Sequence, residues 1–129
     1  MKTILFAYRV SDLERSLPFY RALGYTQLGD VIDAGDARLV WLKLPDESSV
    51  SLELVHRPAD GPVGPGGFQH LAIDVGTLGL ALDRLRAAGL TPSEPELPAG
   101  PDGPKTAWLV DPDGYRIELV EWPAGAGEV

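Results

Sequence analysis

Glu118 sits inside the apolar run "YRIELVEW" (115–122), between Ile117 and Leu119. A carboxylate on a buried strand is costly unless something pairs with it. Two other residues raise the same question: Glu53 in "SLELV" (51–55) and His70 in "FQHLAIDV" (68–75). Two carboxylates and one imidazole are good ligands for a divalent ion such as Zn²⁺, Ni²⁺, Co²⁺, Mn²⁺ or Fe²⁺. Gathered on one wall without a cation, the carboxylates would repel each other. Taken singly, each residue has a plainer reading. A lone strand His is usually structural, and a lone strand Glu is usually exposed or at an edge. Which reading holds depends on the elements that carry the three residues.

Those elements come from a sequence written twice. "RVSDLERSLPFYRALGY" (9–25) aligns without a gap on "DVGTLGLALDRLRAAGL" (74–90). Val10 meets Val75, Leu13 meets Leu78, Leu17 meets Leu82 and Gly24 meets Gly89, each at an offset of 65. "SLELV" meets "RIELV" (116–120) at the same offset, since 118 − 53 = 65. Such self-similarity marks a tandem duplication. Each half reads as βαβββ. In the first, "TILFAYRV" is a strand. Ser11 and Glu14 form an S-x-x-E capping box, and Leu13, Leu17, Tyr20 and Leu23 follow at helical spacing up to Gly24. Pro18 lies past the first helical turn, which predicts a kink. "TQLGDVID", "ARLVWLKL" and "SVSLELVH" are strands between turn residues. In the second half, "FQHLAIDV" is the first strand. Thr77 is the expected N-cap of a helix carrying Leu78, Leu82 and Leu85, and "DPDG" (111–114) joins "KTAWLV" to "YRIELVEW" as a hairpin. The expectation is one α+β domain of two modules, about 1–57 and 67–122, with a linker at about 58–66 and a loose tail at 123–129.

One helix covers one face of a four-stranded sheet. The other face is therefore expected to be a concave wall closed by the second module, a partner chain or a ligand. Side chains alternate along a strand with period two. Leu71 and Ile73 belong to the helix side, which sends His70, Ala72 and Asp74 to the wall. Ile117 and Leu119 likewise send Glu118 to the wall, and Glu53 follows by the repeat. The repeat equivalent of His70 is residue 5, which is Leu5. A symmetric site would thus draw on Leu5, Glu53, His70 and Glu118 around a pseudo-two-fold axis. His56, at odd spacing from Glu53, is expected on the opposite face. Trp41 and Trp108 are candidates to line the wall, although a Trp is more often plain core. The Gly/Pro-rich stretches "ADGPVGPGG" and "PSEPELPAGPDGP" read equally as rims of the cup or as plain connections.

Bulk composition narrows the partners. The 129 residues suit one domain, and a net charge of −8 disfavours nucleic acid and anionic membranes. No apolar run approaches the ~20 residues of a membrane span, the N-terminus lacks a signal-peptide core, and there is no Cys. The expectation is a soluble cytoplasmic protein.

The tandem modules, with "RVSDLERSLPFYRALGY", "QHLAIDV" and "DPDGYRIELVE", resemble the vicinal oxygen chelate superfamily, and glyoxalase I (lactoylglutathione lyase) most of all. The resemblance covers roughly residues 1–122. Extradiol dioxygenases, epimerases and metal-free bleomycin-resistance proteins belong to the same superfamily. The resemblance implies a metal held by a His from the first strand and a Glu from the last strand of each module. Carried over, these are His70, Glu53 and Glu118, while Leu5 replaces the fourth ligand. It further implies that Glu118 is the general base, Glu53 a ligand and second acid/base, and the metal a stabiliser of an enediolate. Arg9 stands where glyoxalase I has an Arg that receives a glutathione carboxylate, and Arg57 where that family prefers Asn. With Leu5, Trp41 and Trp108, these Arg residues form the expected substrate-binding set. The first reading is therefore a metal-dependent lyase or isomerase acting on a small molecule, as a homodimer. Leu5 suits the rival, a metal-free protein that sequesters a small molecule. The dioxygenase reading needs a His at position 5 and ranks last.

Overall fold

A computed structural model describes residues 1–32 and 36–125. The chain divides into two compact units, Met1–Gly64 and Pro65–Val129. Asp33, at the end of one expected strand, and residues 126–129 of the expected tail lie outside the described residues.

The first unit contains β1 (Phe6–Arg9), α1 (Leu13–Leu23), β2 (Thr26–Ile32), β3 (Arg38–Lys43) and β4 (Leu52–His56). Its sheet runs β1-β4-β3-β2, with β1 parallel to β4 and the other pairs antiparallel. The buried stripe of α1 is Leu13, Leu17, Tyr20 and Leu23, as its spacing predicts, and a hydrogen bond between the Tyr8 and Tyr20 hydroxyls ties it to β1. The helix runs on through Pro18 and stops at Gly24, whose φ of 131° allows its N–H to reach the Tyr20 and Arg21 carbonyls. The capping box is corrected. Asp12, not Ser11, is the N-cap, and its carboxylate accepts from the Glu14 N–H at 2.9 Å. Ser11 Oγ instead accepts from the Val63 N–H at 2.8 Å and donates to the Val63 carbonyl at 3.2 Å. Asp is as good a cap as Ser, so moving the helix start by one residue releases the hydroxyl to anchor the segment after β4.

The second unit contains β5 (Leu71–Asp74), α2 (Leu78–Ala87), β6 (Lys105–Val110) and β7 (Arg116–Glu121), in a sheet of order β5-β7-β6. The expected fourth strand is reduced to a single bridge between Glu96 and Thr106. The segment still follows β6, since the Ser93 N–H bonds the Trp108 carbonyl and the Glu96 N–H bonds the Thr106 carbonyl. Pro92, Pro95 and Pro98 supply no N–H, so no continuous ladder can form there. Thr77 makes no side-chain cap. Glu121 Oε2 takes that role from β7 by accepting the Leu78 N–H at 3.2 Å. Leu78, Leu82 and Leu85 of α2 are buried, as are Ile117, Leu119 and Leu109 of the sheet. Each such side chain contributes about 1.5–3 kcal/mol. No helix among the described residues is long and apolar enough to cross a membrane.

The β6–β7 turn sets the register of the strands that matter most. Asp111, 4% exposed, accepts the Asp113 N–H at 2.8 Å and the Tyr115 N–H at 2.9 Å. Gly114, at φ 86°, completes the reversal. An Asp111→Ala substitution leaves both N–H groups without that acceptor and should cost about 2 kcal/mol. Urea unfolding should show a lower midpoint at unchanged slope, and an unchanged midpoint would refute this account of the turn.

Candidate functional site

In the second unit the pleat sorts Glu118 as its strand pattern predicts. Ile117 and Leu119 are fully buried, whereas Glu118 turns to the opposite face. Parallel pairing sets Ala72 opposite Glu118, and His70 lies two residues earlier on the same face. His70 Nε2 stands 3.5 Å from Glu118 Oε1, with the side chains 32% and 22% exposed. The other ring nitrogen, Nδ1, lies 2.7 Å from Gln69 Oε1. An amide oxygen only accepts, so Nδ1 carries a proton and Nε2 is the atom turned to the carboxylate. Either a proton on Nε2 or a cation shared by both atoms satisfies the pair.

The pair fits a divalent ion as two of its ligands. Atoms about 2.1 Å from a common ion lie roughly 3.4 Å apart at the tetrahedral angle, against the 3.5 Å between Nε2 and Oε1. A His that donates its second N–H to an acceptor is the usual form of a metal-ligating imidazole. Among the described residues, however, no three His, Cys, Asp or Glu side chains form a group that could hold a metal. The structure brings His70 to Glu118 and gives Glu53 a different partner.

Glu53 lies in the first unit, opposite Trp41 on β3 and Ala7 on β1. The Trp41 indole N–H donates to Glu53 Oε1 at 2.7 Å. The indole lies over Gly29, where β2 carries a bulge between Gln27 and Gly29. Leu5 precedes β1 on the face of Ala7 and Glu53, the position His70 has relative to Glu118. Trp108 faces Glu118 in register as Trp41 faces Glu53. The equivalence escapes a fixed offset because 108 − 41 = 67, the chain from Trp41 to Glu53 being two residues longer than that from Trp108 to Glu118. Arg9, at the end of β1, donates to the Gly61 carbonyl at 3.2 Å, and Arg57 pairs with Asp60 at 3.5 Å. Both therefore engage the segment after β4, as Ser11 does. His56, in register with Arg38, alternates away from Glu53 as expected.

One residue near the pair carries no signal in the sequence. Arg116 precedes Glu118 by two on β7, and its guanidinium carbon lies 3.9 Å from the centroid of the Trp108 ring. The His70 ring meets the same indole edge-on at 5.1 Å and 84°. An Arg before a buried strand residue reads as a solvated face, and only the three-dimensional stack marks it.

The Glyoxalase/Bleomycin resistance protein/Dioxygenase superfamily model matches residues 4–119. The chain belongs to this superfamily. A probable lactoylglutathione lyase of Synechocystis is 32% identical over 117 residues, covering 88% of this chain and 89% of that protein. A lactoylglutathione lyase of Arabidopsis thaliana is 29% identical over 118 residues, and there the match spans only 42% of the relative's length. Among solved structures, the trypanothione-dependent glyoxalase I of Leishmania major is 28% identical with a TM-score of 0.72, covering 94% of this chain and 86% of that one. The α+β architecture read from the repeat is thus the glyoxalase fold.

In this glyoxalase-family chain Gly29 is a seat for Trp41, since a Cβ added there would stand 3.0 Å from Trp41 Cε3. Gly29→Ala should destabilise by about 1 kcal/mol through overpacking. In a Trp41→Ala background the same change should turn neutral or stabilising, because only the entropic benefit of alanine remains. Equal destabilisation in both backgrounds, measured by urea unfolding, would show that Gly29 serves something other than the indole.

Proposed function

We propose that this protein is a lyase or isomerase of the glyoxalase I type, which moves a proton on a small, oxygen-bearing substrate at the His70–Glu118 pair. The observation that carries the reading is that pair on the helix-free face of the second sheet, with Nε2 facing Oε1 and Nδ1 held by Gln69. The likeness to lactoylglutathione lyases at about 30% identity supports it.

Glu118 is the general base. Its carboxylate takes the proton from a carbon next to a substrate oxygen and returns it to the neighbouring carbon. His70 and Glu118 are the residues that would hold a divalent ion. Such an ion, when bound, polarises the substrate oxygen and stabilises the charge that develops as the C–H bond breaks. His70 keeps Nε2 directed at the carboxylate, and Gln69 holds the tautomer that makes this orientation useful. Glu53 is the second carboxylate of the reading, with one oxygen fixed by Trp41. Arg9, Arg57, Leu5 and the two Trp residues remain its proposed substrate contacts.

A specific observation favours the rival, a metal-free small-molecule-binding protein. Glu53 is satisfied by an indole N–H without any ion, and Leu5 supplies no ligand beside it.

Thermal unfolding of chelator-treated protein in Mn²⁺, Co²⁺, Ni²⁺ and Zn²⁺, with metal analysis, separates the two. The enzyme reading expects at least one ion to stabilise the fold, by about 2.7 kcal/mol at a hundredfold excess over its Kd. Glu118→Gln should remove most of that gain. Leu5→His should strengthen ion binding, because it would give Glu53 the partner that Glu118 already has. Melting that is identical with each ion and with chelator would sink the metal-dependent enzyme and favour the binding protein.

A further inference from the structure

Arg116 is held in place but not neutralised. Its guanidinium lies on the Trp108 ring, 3.9 Å from the centroid. A cation held over a ring in this way is attracted through the π face, which consumes none of the five guanidinium N–H donors as hydrogen bonds. Among the described residues no carboxylate pairs with Arg116 and no acceptor takes a side-chain N–H from it. Other arginines do have such partners: Arg38 has Asp30, Arg57 has Asp60, and Arg86 has Asp83 and Glu94. The contrast is sharp in a chain with 19 acidic and 11 basic residues, where carboxylates are abundant.

The position of this cation relates it to the site. Arg116 and Glu118 share one face of β7, two residues apart, or roughly 7 Å along the strand. Trp108 connects them physically, with Arg116 over its ring and the His70 ring in a T-shaped contact with it. An oriented, unpaired guanidinium has the fork geometry that receives a carboxylate or phosphate with two parallel hydrogen bonds.

We propose that Arg116, seated on Trp108, is the anion-binding residue of the His70–Glu118 site. The substrate class is then a small molecule bearing a carboxylate or phosphate in addition to the carbon whose proton Glu118 removes. The placement of that proton rests on the function proposed above, whereas anion capture by Arg116 does not.

The test uses the metal-free full chain and follows its Arg Nε–H and Trp indole N–H signals by NMR. Sodium acetate and inorganic phosphate are titrated separately at constant ionic strength, to concentrations on the order of 10 mM, suited to a single bidentate contact. The Arg116 and Trp108 signals, assigned by their loss in Arg116→Gln and Trp108→Phe, should move saturably. The Trp108 shift should vanish in Arg116→Gln at an unchanged melting temperature, and Arg116→Lys should retain a weaker response. A response to acetate alone identifies a carboxylate substrate, and one to phosphate alone a phosphorylated one. No movement, an undiminished Trp108 shift in Arg116→Gln, or equal movement of the Arg38 and Arg57 signals overturns the proposal. Because neither metal nor turnover is read, absence of ion-dependent stabilisation would defeat only the metal reading.

Discussion

The parallel pairing of β5 with β7 is the constraint on which the site depends. It sets Ala72 opposite Glu118 and so brings His70, two residues earlier, to the carboxylate. A parallel pair needs a crossover, and α2 supplies it. The helix lies on one face, which leaves the alternate side chains of β7 on the other. A slip of one residue would exchange Glu118 with Leu119 and force the carboxylate under Leu78, Leu82 and Leu85. The burial that stabilises the unit therefore also aims the Glu118 carboxylate at the opposite face. Two further contacts guard the register: Asp111 closes the β6–β7 turn, and Glu121 holds the first N–H of α2.

The two units show how one plan can yield different local chemistry. In each, a Glu of the last strand faces a Trp of the preceding one. In the first unit the indole N–H bonds the carboxylate, and a bulge at Gly29 makes room for the ring. In the second the ring carries Arg116 over it and meets the His70 ring in a T-shaped contact, and the carboxylate meets the imidazole instead. Position 5 underlies this divergence. With Leu5 beside it, Glu53 has no imidazole to face, and the Trp41 N–H satisfies it. With His70 beside it, Glu118 stays linked to a group that can exchange a proton or share an ion.

Much of this is legible in the sequence. The offset of 65 exposes both units, and period-two alternation alone separates Glu118 from Ile117 and Leu119. Other features are hidden, each for a physical reason. The Trp41–Trp108 equivalence is masked because the two connections differ in length while the strands keep register. The N-cap of α1 reads one residue early because Ser11 and Asp12 are both good caps, and tertiary contact with Val63 decides between them. The second unit reads as having one strand too many because the repeat carries the βαβββ pattern over whole, while the prolines of "PSEPEL" lack the donors for a ladder along β6. Arg116 leaves no trace in the pattern, since a stacked cation and a solvated one look alike along a strand.

The two members of the pair are held by different means. Glu118 lies in mid-strand, with ladder partners on both sides in Ala72 and Trp108. Its backbone has little freedom, so the carboxylate is a fixed reference. His70 lies one residue before β5 begins at Leu71, outside the ladder. Its orientation rests on side-chain contacts among the described residues: Gln69 at Nδ1, the Trp108 ring, and Glu118 across from Nε2. Side-chain contacts yield more readily than a strand ladder, so adjustment to a ligand or an ion falls on the imidazole. That division suits the proton transfer proposed for the pair, in which a base must keep its place while its partner adapts to a changing charge.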